Sequence, residues 1–376
     1  MRFSVYDFFV AFIAVFSLCI CTDGLGFIYG ICMNGLVVTY LAVHFFAVIK
    51  TRISIWFIVA VCSVFSISLY LGECYLLYSF KMFVYLLFLL SVRAEFEQGV
   101  INRDDGAKIK SAYSFFTMSM IVIIIRGLLS GEFVEFSCGV YSDKNYMSII
   151  AFLYFVLSCK VRKLYGFFIF AVYWIFLSNS RSLLAMVLLL ILLNFIMNAC
   201  PRFGNIISRM RPIVVITLMS VLLMYMSSWF IEAHNVQEMS EYKESLLDTS
   251  NYMRMVGNAR VLEDLKDGLC WFSGYGSAIS EEMDVHEDSC NYDHGVRLVQ
   301  SHNCILNLVQ RIGFIPSIVY LIFLFVVIPV EVVAKNLMYI IPWLSNALFM
   351  HSLLCGELFV IFMLIIFIER ERHEVL

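Results

Sequence analysis

The chain is 376 residues long, 61% hydrophobic and only 15% charged, with 35 Phe and 20 Tyr. Soluble proteins use about 45–50% apolar residues, so this composition excludes a pair of ordinary soluble domains. A formal net charge of −3 with no basic tail excludes a nucleic-acid-binding protein.

Apolar runs long enough to cross a hydrocarbon core of about 30 Å recur from end to end. A window of about 19 residues places spans near 3–21, 25–49, 53–71, 75–92, 111–129, 146–159, 165–180, 182–199, 213–231 and 313–333. The stretch 337–368 is too long for one helix and contains Pro342, His351, Gly356 and Glu357. It divides into spans near 337–352 and 357–369. The expectation is an all-α polytopic integral membrane protein with about twelve transmembrane helices. Arg2 precedes an apolar run that Asp7 interrupts, and no small-residue cleavage site follows. That run reads as a retained first span and not as a removed signal peptide.

Basic residues set the sidedness. With the N-terminus in the cytoplasm, the inside holds sixteen Lys and Arg, from Arg2, Lys50 and Arg52 through to Arg370 and Arg372. The short outside loops hold only Lys144 and Arg181. Short cytoplasmic loops retain positive charge, so both termini are expected in the cytoplasm. The chain then divides into helices 1–9 over 1–231, one large periplasmic loop over 232–312, and helices 10–12 with a cytoplasmic tail over 313–376.

The loop is polar, with fourteen acidic residues against six basic ones over 232–311. A connection this long in a compact protein is usually functional. Thr249 or Ser250 can cap a helix carrying Met255, Val256, Ala259, Leu262 and Leu265 at 3–4 spacing, stopped by Gly268. Of the twelve cysteines, Cys19, Cys21, Cys32, Cys62, Cys159 and Cys355 lie in or beside apolar runs, as small hydrophobes, and no pair has zinc-ligand spacing with His. Cys270 and Cys290 share the polar loop, and whether they pair depends on that loop facing an oxidising compartment.

Charges inside apolar runs are expensive and point to function or to snorkelling. Asp7, near one end of its span, favours snorkelling, Lys81 fits either reading, and Arg126, followed by Gly127, favours function. Arg181 sits in Ser178, Asn179, Ser180, Arg181, Ser182, a tight outer turn where topology needs no arginine. A guanidinium there suits a phosphate at the membrane surface; the competing reading is an interfacial anchor. His302 opens an amphipathic segment, with Asn303, Asn307 and Gln310 on one helical face and His302, Leu306 and Val309 on the next. A lone His beside an apolar face is more often structural. Gly274 and Gly276 form no dinucleotide fingerprint, since Ile279 replaces the third glycine. The acidic run 281–288 reads as solvated loop sooner than as a cation site.

In this order the features resemble a family. The turn S-x-S-R-S at 178–182, a large outward loop with an early Arg, the G-x-G at 274–276, and H-N-x-x-L-x-x-x-x-x-x-G from His302 to Gly313 are similar to the bacterial O-antigen polymerases and the related O-antigen ligases. Arg126 and Gly127, followed by 139–145 with Asn145, look like the arginine–glycine and asparagine element ahead of a span. The resemblance covers roughly 120–369. It departs at Gln310 and Arg311, where an acidic residue is common, and at Lys144, where a proline is common.

The resemblance implies glycosyl transfer at the periplasmic face of the bacterial inner membrane, joining undecaprenyl-diphosphate-linked oligosaccharide repeat units. It implies membrane lipid and a chain-length regulator protein as partners, and no metal or other cofactor. Arg126, Arg181, Arg254 and Arg260 would bind the diphosphate and stabilise its charge on departure. His302 would be the catalytic base, and Asn145, Gly274, Gly276 and Asn303 would serve the loop and acceptor side. An O-antigen ligase, transferring the chain to lipid A–core, would share nearly every motif. A flippase for the same lipid-linked unit should not need so long an outer loop, and a small-solute transporter should show internal repeats, of which the sequence has none.

Overall fold

The computed structural model describes residues 4–49, 52–70, 76–97, 105–131, 139–140, 144–178, 180–200, 202, 212–234, 249–275, 301–350, 353–354 and 356–368. Among them the secondary structure is helical, with no strand. The helices are α1 (Val5–Cys21), α2 (Gly26–Ile49), α3 (Arg52–Tyr70), α4 (Leu76–Glu97), α5 (Asp105–Ser130), α6 (Lys144–Val161) and α7 (Leu164–Leu177). They continue as α8 (Arg181–Ala199), α9 (Pro212–His234), α10 (Thr249–Lys266), α11 (Cys304–Ile312), α12 (Phe314–Val327), α13 (Val330–Ala347) and α14 (Glu357–Phe367).

The predicted spans from 3–21 through 213–231 each overlap one helix, as does 357–369, whereas 313–333 and 337–352 do not match the limits of α12 and α13. Among the described residues four helices are both long and apolar enough to cross a membrane: Gly26–Phe45, Gly106–Ser130, Arg181–Ala199 and Pro212–Glu232. The bent pair α12 and α13 makes a fifth if counted as one span; shorter apolar helices accompany them. The long ones present apolar stripes to the outside: Leu188, Ile191, Leu192 and Phe195 on α8, and Leu218, Leu222, Tyr225 and Trp229 on α9. Phe27, at 81% exposed, and Phe168, at 71%, continue this on α2 and α7. Apolar surface on that scale suits hydrocarbon and not water. The protein is a helical membrane-embedded protein.

The chain forms two compact units. The first contains α1, α2, α5 to α8 and α14, together with the second half of α4. Ser4 caps α1: its hydroxyl accepts from the Asp7 amide at 3.3 Å, and the Asp7 carboxylate accepts from the Ser4 amide at 2.9 Å. Lys108 on α5 pairs with Asp7 at 2.9 Å, so Asp7 is a helix-start residue with a partner. Below it Phe8 packs on Phe88 and Tyr40 at ring separations of 4.6 and 5.3 Å, and Phe16 meets Phe116 edge-on at 5.7 Å. Such rings fill the space between helices where Leu would leave gaps. Helix α14 is apolar on every side and buried from Leu358 to Phe367, as expected of a helix enclosed by others.

The second unit contains most of α3, the start of α4, and α9 to α13. The loop helix α10 ends as the sequence predicts, at Gly268 with φ +80°. Its apolar face, Val261, Leu262 and Leu265, packs with Met224 of α9 and Leu306 and Val309 of α11. The break predicted between 333 and 337 lies earlier. Helices α12 and α13 bend by 102° around Ile328 and Pro329, because proline supplies no amide to continue α12 and is at ease just ahead of a new helix. The division of 337–368 falls between Ala347 and Glu357, with Gly356 at φ +84° leading into α14.

Candidate functional site

In the second unit three pieces of the sequence pattern meet. Helix α11 begins at Cys304 because Asn303 caps it: the Asn303 Oδ1 accepts from the amides of Ile305 at 3.0 Å and Leu306 at 3.1 Å. His302 therefore precedes the helix and does not share its face with Leu306 and Val309, as the periodicity suggests. The Ser301 amide donates to the Gln310 Oε1 at 2.8 Å. Seven helical residues rise about 10 Å, so a bond from Ser301 to Gln310 means that the incoming chain runs back alongside α11. His302, half-buried, is held against the flank of the helix.

That segment is also fastened to the loop helix. The Ser301 hydroxyl donates to the Asn258 Oδ1 at 2.7 Å and accepts from the Asn303 amide at 3.1 Å. Ser301 is wholly buried, and Asn303 and Asn258 nearly so. Arg254 lies one turn before Asn258 on α10, on the same face and partly buried. The structure thus brings the early arginine of the loop to the helix face that holds the His302 segment.

The glycine-rich stretch closes on the same helix. The Tyr275 amide donates to the Gln310 carbonyl at 2.7 Å, and the Phe314 and Ile315 amides donate to the Cys270 and Trp271 carbonyls at 2.7 and 2.9 Å. A Cβ on Gly274 would collide with the Gln310 carbonyl, and one on Gly313 would stand 2.8 Å from the Ser273 nitrogen. Gly313 also has φ +92°. The glycines of two separate motifs are needed because two backbones touch there.

Arg260 has a different environment from Arg254. It reaches Glu263 at 3.2 Å and the wholly buried Asp264 at 3.0 Å. Burial pushes the Asp264 carboxyl above the usual carboxylate range, opposed first by Arg260 and then by a hydrogen bond from the Tyr275 hydroxyl. Burial acts to lower the Arg260 pKa, but the carboxylates of Asp264 and Glu263 outweigh it and hold that pKa above the usual arginine range. Arg260 is taken up by Asp264 and Glu263, and Asp264 in turn holds the glycine stretch through Tyr275, which leaves Arg260 poorly placed for a phosphate.

Arg126, Arg181 and Asn145 belong to the first unit. Arg126 donates to the Cys21 carbonyl and pairs with Asp23 at 2.6 Å, while the other Asp23 oxygen accepts from the Gly139 amide at 2.7 Å. Gly139, at φ +70°, lies so close to the end of α1 that a Cβ would meet the Ile20 carbonyl. The arginine and glycine of the upstream element are thus joined through an aspartate that the sequence pattern does not single out. Arg181 is the exposed first residue of α8. Its turn is built from hydroxyls: Ser180 and Ser182 are 2.7 Å apart, Ser180 accepts from the Leu183 amide at 3.4 Å, and Ser178 meets Ser148 of α6 at 3.4 Å. Asn145 lies one turn before Ser148 on α6, so the asparagine and S-x-S-R-S elements share a neighbourhood.

Gly276, Cys290 and the acidic run 281–288 lie outside the described residues. The periodicity places Gln310 on the α11 face but gives no sign of what it grips, and it passes over Asn258, Ser301 and Asp264 altogether. Only an unexplained polar residue within the apolar pattern of α10 could have flagged Asn258. Comparison with protein-family models, curated proteins and solved structures matches none of them to this chain.

Proposed function

We propose that this protein is an O-antigen polymerase, a membrane glycosyltransferase joining undecaprenyl-diphosphate-linked oligosaccharide repeat units at the periplasmic face of the inner membrane. In this reading the chain has about twelve spans, both termini are cytoplasmic, and 232–312 is periplasmic. His302 takes the proton from the acceptor sugar hydroxyl as that oxygen bonds to the donor's anomeric carbon, and the lipid diphosphate departs. Arg254 and Arg181 stabilise the charge gathering on the diphosphate, with Arg181 assigned from its motif. Such leaving-group stabilisation is usually the largest part of catalysis of this kind.

The observation that carries the proposal is the Ser301–Asn258 hydrogen bond. It joins the loop helix bearing Arg254 to the segment bearing His302, which is what a base and a phosphate-binding cation acting on one bond require. Gene disruption tests it. Loss of a polymerase leaves single repeat units on the surface glycolipid, and Arg181→Ala or Arg254→Ala at normal expression should do the same. Loss of all repeat units from lipid A–core would instead identify a ligase, and normal ladders from both variants would contradict the diphosphate role.

A further inference from the structure

Two backbone amides flank His302, and side chains hold both. The Ser301 amide is bound by the Gln310 Oε1 at 2.8 Å, and the Asn303 amide by the Ser301 hydroxyl at 3.1 Å. The Gln310 backbone carbonyl also receives the Tyr275 amide at 2.7 Å, beside the close approach of Gly274 to Gln310 and Arg311. One residue, 2% exposed, therefore grips the chain on the His302 side with its side chain and the glycine stretch with its main chain. Apolar packing would be served as well by leucine at this position, whereas the grip on Ser301 needs an acceptor at the end of a side chain of this length.

We propose that Gln310 is a positioning residue for His302. It fixes the short segment carrying the imidazole against the flank of α11, in register with the glycine stretch 270–275. The inference rests on the polymerase reading for what His302 does; the grip itself does not. A misplacement of about 1 Å in a reacting group can cost about 10²-fold in rate, so a hydrogen bond that sets the backbone on one side of the base acts on turnover more than on substrate affinity.

The test uses the purified full-length protein in lipid vesicles with undecaprenyl-diphosphate-linked repeat units as substrate, and two variants of similar size. Gln310→Leu removes the acceptor; Gln310→Glu keeps it. Expected for Leu is a fall in kcat of about 10²-fold with KM nearly unchanged, and faster hydrogen exchange at the amides of 301–303. Expected for Glu is recovery of most of the rate and of the exchange protection. A Leu variant with normal kcat, or one whose amides stay protected, overturns the proposal, as does a Glu variant no better than Leu. Wild-type protein that elongates nothing overturns the polymerase reading instead, and the exchange measurement then still decides the grip.

Discussion

The Ser301 hydroxyl donates to the Asn258 Oδ1 at 2.7 Å in a buried position. These residues are 43 positions apart, and their bond fastens a helix of the polar loop to the segment that leads into the last group of helices. Buried hydrogen bonds of this kind contribute about 0.5–1.5 kcal/mol, and leaving one partner unmatched costs about 1–3 kcal/mol. Ser301→Ala and Asn258→Ala should each lower thermal stability, and their effects should not add. A double-mutant cycle in detergent is expected to give a coupling of about 0.5–3 kcal/mol; independent effects would show that the bond carries no weight.

Glycines at the meeting of 270–275 with α11 should tolerate no side chain. Gly274→Ala must push against the Gln310 carbonyl, and Gly313→Ala adds a left-handed backbone to a close contact with Ser273. Gly268 has φ +80° but nothing within 4 Å of a Cβ. Gly268→Ala should therefore cost only the conformational penalty, about 1–2 kcal/mol, and retain activity where the other two lose it. Comparable melting temperatures for all three variants would contradict the packing described.

Arg254 and Arg260 should separate in their effects. Arg260→Gln leaves the buried Asp264 carboxyl without its partner, a change that costs about 3–5 kcal/mol, so the variant should unfold early or express poorly. Arg260→Gln with Asp264→Asn should recover much of that stability and show activity. Arg254→Gln should fold normally and lose chain elongation. Thermal melts beside product ladders for the three variants give the answer.

Asp23 gives a pH dependence. The Gly139 amide and then the Arg126 guanidinium hold its carboxyl below the usual carboxylate range. A depressed folded-state pKa contributes stability that is present above the unfolded value of about 3.9 and is lost as pH falls through the folded value. The clasp between α1, α5 and Gly139 should therefore be closed at neutral pH and open only on acidification below about pH 4. In Asp23→Asn it should be weakened at every pH. Hydrogen exchange at the Gly139 amide, corrected for its intrinsic pH dependence, reports this; exchange as slow in Asp23→Asn as in the wild type would contradict it.

Much of the helical layout can be read from apolar periodicity, because a helix in lipid must satisfy its own backbone and shows as a long uninterrupted run. The loop helix is equally legible from Thr249 to Gly268, where a cap, a 3–4 apolar spacing and a stop signal agree. What escapes is long-range. Nothing near Arg126 announces Asp23, 103 residues away, and nothing in the acidic composition of the loop distinguishes Asp264, which is buried, from its solvated neighbours. The bend at Pro329 escapes because hydropathy continues smoothly through it while the hydrogen-bond ladder does not. Periodicity places His302 on a helical face because it cannot see the Asn303 cap that starts the helix at Cys304.

In the proposed reaction His302 removes the acceptor proton, and elongation by purified protein with defined lipid-linked repeat units is the measurement that decides it. His302→Gln keeps a hydrogen-bonding side chain and cannot take the proton. This variant is expected to bind the lipid-linked donor normally and to elongate about 10²–10⁴-fold more slowly, while wild-type activity rises with pH as expected of an imidazole base, near 6.5 for an unperturbed histidine. Substantial elongation by the Gln variant, or a wild-type rate indifferent to pH between about 5.5 and 7.5, would contradict it.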